Sequence, residues 1–130
     1  MENAEKVQYW IDIAEEDWKV AEDLHKTKHW LYVAFMCHQV MEKMLKAYWT
    51  VLHDDNPPYI HGLIKLLDGC GLLDQMSENQ LEFVDYMTPM NIEARYPEYK
   101  QNVSAHLNEQ SCLQILAQTK QFKEWIRQKF

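Results

Sequence analysis

The sequence predicts an all-α protein, an up-and-down helical bundle of four to five helices. Three observations carry this expectation. Leu, Met, Ala, Glu, Gln and Lys are plentiful, and these are good helix formers. Three glycines and four prolines are too few for the many turns of an all-β fold. Apolar residues recur at helical spacing through most of the chain. At 130 residues the chain reads as one domain, residues 1–130, long enough to bury a core without disulfide or metal staples.

The elements follow in order. From about Ala4 to Lys26, Val7, Trp10, Ile13, Ala14, Trp18, Ala21 and Leu24 form an apolar stripe with Glu15, Glu16, Lys19, Glu22 and Asp23 outside it. After a polar turn at Lys26–His29, a second helix runs from about Trp30 to His53, with Leu31, Ala34, Phe35, His38, Met41, Leu45, Tyr48 or Trp49, and Leu52 on its stripe. So short a link between two long helices predicts an antiparallel hairpin. Pro57-Pro58 breaks the chain. Ile60 to Leu67 reads as a shorter helix closed by Gly69 and Gly71. Ser77 with Gln80 makes a capping box ahead of a helix through Leu81, Val84 and Met87 that stops before Pro89. The segment around Arg95 reads as a loop, because Pro97 fixes its own φ and pushes Tyr96 out of the α region. The last helix begins somewhere between Ser104 and Glu109 and carries Cys112, Ile115, Leu116, Thr119, Phe122 and Ile126 inward.

Charge and cysteine usage narrow the function. The net charge of -7 argues against broad, non-specific nucleic-acid binding. Lys120, Lys123, Arg127 and Lys129 gather at the C-terminus, where cations complement a helix dipole. The acidic start Met1-Glu2-Asn3-Ala4-Glu5 is not a secretory signal, and no apolar run approaches the roughly 20 residues of a membrane span. Cys37, Cys70 and Cys112 are widely spaced and read as reduced thiols, so a cytoplasmic protein without a membrane segment is expected. Neither the cysteines nor His25, His29, His53 and His106 have metal-ligand spacing, and no metal or cofactor is expected.

Two groups of polar residues stand out. His38, Glu42 and Lys46 are successive one-turn neighbours on the second helix and share one face. With Phe35 and Leu45 bordering that face, they read first as a half-buried internal network, with His38 and Lys46 also candidates for a ligand. His61, just after Pro57-Pro58, reads as a loop-fixing histidine. The second group is Ala94-Arg95-Tyr96-Pro97. A guanidinium fork beside an aromatic ring is a phosphate grip with a base-stacking surface.

Together these pieces resemble the HEPN family, the small α-helical domain named for higher-eukaryote and prokaryote nucleotide binding. Tyr9-Trp10 and Ala14-Glu15-Glu16-Asp17-Trp18 are similar to the family's opening helix. Ala34-Phe35 with His38-Gln39-Val40-Met41-Glu42-Lys43-Met44-Leu45-Lys46-Ala47, followed by Pro58 and His61-Gly62-Leu63-Ile64-Lys65-Leu66, resembles its second and third. Ala94-Arg95-Tyr96-Pro97 resembles the A-R-Y-P signature of one prokaryotic branch. The resemblance implies a homodimer whose cleft is lined by the arginine loop, often paired with a small nucleotidyltransferase in a toxin–antitoxin-like system. It also implies nucleotide or RNA binding through Arg95, Tyr96, Tyr99, Lys46 and His38. Many HEPN proteins are metal-independent ribonucleases with an arginine and a histidine shortly downstream. Arg95 fills the catalytic arginine's place, but Tyr96, Pro97, Glu98, Tyr99, Lys100, Gln101 and Asn102 include no histidine. Losing a general acid/base costs about 10²- to 10⁴-fold, so a binding module is the expected function. The alternatives are a ribonuclease toxin using a substitute such as His106 across the dimer, and a purely structural helical interaction domain.

Overall fold

The protein is described from a computed structural model, covering residues 2–91 and 97–130, with the side chain of Tyr99 outside the description. It is all-α, with no strand among the described residues. The helices are α1 (Asn3–Lys26), α2 (Trp30–His53), α3 (Leu63–Gly69), α4 (Glu78–Met87), α5 (Pro97–Ser104) and α6 (Glu109–Arg127), with 3-10 turns at Leu73–Gln75 and Thr88–Met90.

The link between α1 and α2 is a tight reversal. Lys28 takes φ 65°, and His29 N–H donates to the Leu24 carbonyl at 2.9 Å, a left-handed helix ending that usually prefers glycine. The hairpin is antiparallel: Asn3 at the start of α1 donates to the Thr50 carbonyl near the end of α2. α6 lies beside both. Cys112 Sγ reaches the Trp30 carbonyl and Phe130 stacks on Tyr48, so α6 runs parallel to α2. The short helices α3, α4 and α5 carry the chain back between them.

α2 is therefore the central helix, and its buried surface is wider than the single stripe expected. Val33, Cys37, Val40, Met44, Ala47 and Thr50 are buried in addition to Ala34, His38, Met41 and Leu45, because α1 covers one side and α3 and α6 the others. Leu52, expected on the stripe, is 46% exposed.

Two elements differ from the sequence reading, and a third is made definite. The third helix starts at Leu63 rather than Ile60, since Ile60 N–H bonds back to the Pro58 carbonyl and Gly62 is the extended cap residue. Its end matches expectation through Gly71, whose φ of 67° lets Gly71 and Leu72 close on Asp68 and Leu67. α5 is an additional helix: Pro97 occupies its first position, where a missing N–H costs nothing and φ is already helical. The start of α6 is settled by a capping box in which Asn108 and Ser111 exchange side-chain and backbone bonds. The C-terminal cations also do more than face a dipole, as Lys123 and Arg127 reach Glu15 on α1 at 3.2 and 3.5 Å.

Gly69 allows the closest approach between α2 and α3. A Cβ there would run into the Trp49 ring, which is itself flanked by the His53 ring at 4.5 Å, while His53 Nε2 reaches the Gly69 carbonyl at 2.9 Å. Gly69→Ala is expected to destabilise by about 1–3 kcal/mol through overpacking, seen as a lower midpoint of thermal unfolding. Gly62→Ala, where the added carbon meets nothing nearer than 4.0 Å, serves as the neutral control. Equal midpoints for the two variants would contradict this packing.

Candidate functional site

The polar cluster predicted on α2 is real, and its centre is Glu42. Helical periodicity sets His38, Glu42 and Lys46 above one another, and the packing of α1 and the His61 turn over that face encloses them. Glu42 is fully buried, and His38 and Lys46 are 1% and 6% exposed. The Glu42 carboxylate accepts from Lys46 Nζ at 3.0 Å and Lys43 Nζ at 3.4 Å through Oε2. His61 Nδ1 lies 3.1 Å from Oε2 and 3.2 Å from Oε1. Since a carboxylate only accepts, this ring nitrogen carries the hydrogen. Lys43 also donates to Gln39 Oε1 at 2.8 Å. Lys46 Nζ stands over the Trp10 ring at 5.5 Å, a cation–π contact that ties α1 to the cluster.

The electrostatics follow from burial and from the donors. Burial alone would raise the Glu42 carboxyl, but Lys43, Lys46 and His61 together outweigh it and hold the group below its ordinary value. Burial drives His38 down from 6.5 to about 4, only partly opposed by Glu42, so this imidazole is neutral at pH 7. His38 Nδ1 is 3.8 Å from Glu42 Oε1, too far for a hydrogen bond. Asp17 on α1 is pushed up mainly by burial, against the pull of Lys43.

Chemically the cluster is a lock centred on the Glu42 carboxylate, with His38 Nδ1 and Gln39 Nε2 buried beside it without a hydrogen-bond partner among the described residues. Its cations are spent on its own carboxylate, and its one strongly exposed member is His61, whose side chain is 58% exposed. The candidate ligands His38 and Lys46 are thus inside the bundle. Arg95 and Tyr96 lie outside the described residues, as does the side chain of Tyr99. His106 is exposed at the rim of an apolar hollow of about 320 Å³ with Tyr86, Met90 and Val103. Sequence reasoning missed the parts supplied by other helices, Trp10 and Asp17. Their only signal was position on the α1 stripe or beside it.

The buried thiols carry no chemistry in this arrangement. Burial raises Cys37 and Cys70 to about 12 and Cys112 to about 11, leaving the thiolate, the reactive form, scarce at neutral pH.

The titration directions fix how stability varies with pH. Between pH 6.5 and about 4 the unfolded chain protonates His38 and the folded one does not, so stability is complete above that window and falls as pH drops through it. Glu42 acts in the same sense at lower pH, its contribution lost as its folded value is passed. Asp17 opposes both, since its raised value favours the folded state in acid. Denaturant titrations at pH 7 and pH 4 are expected to show a loss of up to about 3 kcal/mol from His38. His38→Phe is expected to flatten that dependence, and an unchanged slope in the variant would contradict the assignment.

Comparison with known proteins places this arrangement. No curated protein matches the chain. Two solved structures share the fold. TT1696 from Thermus thermophilus superposes with a TM-score of 0.78 at 16% identity, over 96% of this chain and 98% of that one. ST0689, an archaeal HEPN homologue, gives a TM-score of 0.69 at 15% identity, over 95% and 96%. The family profile described as the HEPN domain matches residues 7–129, nearly the whole sequence from α1 to α6, and the chain therefore belongs to the HEPN domain family.

Proposed function

We propose that this HEPN chain is a nucleotide- or RNA-binding module with little or no ribonuclease activity. Arg95 anchors a phosphate, and Tyr96 or Tyr99 stacks a base. In this reading it works in the cytoplasm as a homodimer beside a small nucleotidyltransferase, in a toxin–antitoxin-like pair.

The observation that carries the reading is the sequence Ala94-Arg95-Tyr96-Pro97 without a histidine through Asn102. It retains a phosphate fork and lacks the proton carrier. The geometry of the α2 cluster supports the same division. Lys43 and Lys46 are held by Glu42, and His38 is neutral and enclosed, so these groups hold the bundle together and are poorly suited to meet a phosphate. The chain has two arginines. Arg127 is engaged by Glu15, and the reading rests on Arg95.

Titration of the full chain with a fluorescent ATP analogue and with a short single-stranded RNA tests the anchor. Arg95→Ala is expected to weaken binding about tenfold or more, the value of a charge-assisted hydrogen bond to phosphate. Incubation with RNA in EDTA is expected to give no cleavage above background. Equal binding by wild type and variant would overturn the anchor and favour a structural interaction domain. Metal-free cleavage abolished by both Arg95→Ala and His106→Ala would favour the ribonuclease instead.

A further inference from the structure

We propose that residues 55–61, between α2 and α3, form a strap that opens as a unit. His61 is its latch, and His38 is the donor that takes over Glu42 when the strap lifts. Asp54 ends α2 in the left-handed conformation at φ 49°, and Gly62 is the extended cap of α3. Between these two the backbone bonds are local: Asn56 N–H donates to Asp55 Oδ1, and Ile60 N–H to the Pro58 carbonyl. Among the described residues, the one hydrogen bond from the strap to another element is that of His61 on Glu42. Apolar fastening is also sparse. Pro57 is buried and Ile60 packs partly against the core, while the Tyr59 side chain is fully exposed. A segment with few buried contacts and a single polar tie opens more readily than the helices it joins.

The latch closes on a carboxylate oxygen with no other donor. Glu42 Oε2 accepts from Lys46 at 3.0 Å and from Lys43 at 3.4 Å, whereas among the described residues Oε1 accepts from His61 alone, at 3.2 Å. Lifting His61 by itself would leave that oxygen buried and unpaired, at the desolvation cost of a charged acceptor. His38 is placed to prevent this. Its Nδ1 is buried without a hydrogen-bond partner and lies 3.8 Å from the same Oε1. A shift of about 1 Å brings it into hydrogen-bonding range. Burial keeps the ring neutral, with one N–H to present.

The strap therefore has two states. When it is closed, His61 bridges both oxygens of Glu42 and His38 Nδ1 is idle. When it is open, His38 Nδ1–H holds Oε1, the two lysines still hold Oε2, and the strap has lost its polar tie. Glu42 stays ionised and surrounded in both, so opening is confined to the strap while α1, α2 and α6 remain packed. Small displacements at a bistable contact suffice for such switching. A buried donor left idle beside a carboxylate destabilises a fold that never uses it, and the open state is where His38 is used. The device is independent of Arg95.

Two measurements on the full chain test the exchange. In 15N-histidine NMR spectra at pH 7, His61→Ala is expected to bring out a downfield Nδ1 proton of His38, protected from water by its bond to Glu42. That signal is expected to be weak or absent in wild type. In limited digestion with chymotrypsin, cleavage after Tyr59 is expected to be about fivefold faster in His61→Ala, the net value of one hydrogen bond. Cleavage at other aromatic residues is expected to be unchanged. His61 is exposed, so the variant folds. An unchanged His38 signal, an unchanged rate at Tyr59, or equally faster cleavage at every site would overturn the proposal, the last because it reports global rather than local opening.

Discussion

A carboxylate at the centre of the longest buried surface is the constraint on which the rest of this structure depends. Glu42 has no solvent contact, and an ionised carboxylate in such a place is tolerated only with several donors around it. The chain supplies them from two directions. Lys43 and Lys46 come from its own helix, and His61 comes from the turn after Pro57-Pro58. The requirement to surround one charge thus fixes where the α2–α3 connection returns. Through Lys46 on Trp10 it also favours the register of α1 against α2. A hydrophobic core of the same size has many ways to pack, and a charge with directional donors has few.

The same device explains why α2 contributes structure rather than a ligand site. Its cations are neutralised by Glu42, and its histidine is kept uncharged by burial. In the proposed function, recognition rests on Arg95 and its sequence neighbours rather than on this cluster.

Much of this was legible in the sequence, for identifiable reasons. α1 and α2 declared themselves because their apolar spacing is uninterrupted and their boundaries are polar or proline-bearing. The Ser77/Gln80 box marked α4 because its chemistry is local, and the observed bonds are the two that the motif requires. The His38–Glu42–Lys46 face followed from one-turn spacing alone. The remainder depended on distance in space. Pro97 reads locally as a breaker, yet the same ring suits a helix start, and only the chain beyond it decides which. The wide burial of α2 could not be read from one stripe, because it is set by which helices come back to cover it. Trp10 beneath Lys46 and His61 beside Glu42 are 36 and 19 residues from their partners, and no local pattern encodes such pairings. Asn108 with Ser111 caps α6 by the capping-box principle, but with residue types that left its start ambiguous.

The most direct test of Glu42 as organiser is a double-mutant cycle with Lys46, read by equilibrium denaturant unfolding at pH 7. Glu42→Gln alone is expected to cost about 3–5 kcal/mol by leaving a buried ammonium without its carboxylate. Lys46→Met alone is expected to cost less, since Lys43 and His61 still serve the carboxylate. The double variant is expected to be more stable than the sum of the two losses predicts, with a coupling of about 1–3 kcal/mol. A Glu42→Gln effect within about 0.5 kcal/mol of wild type, or strict additivity in the cycle, would contradict the account.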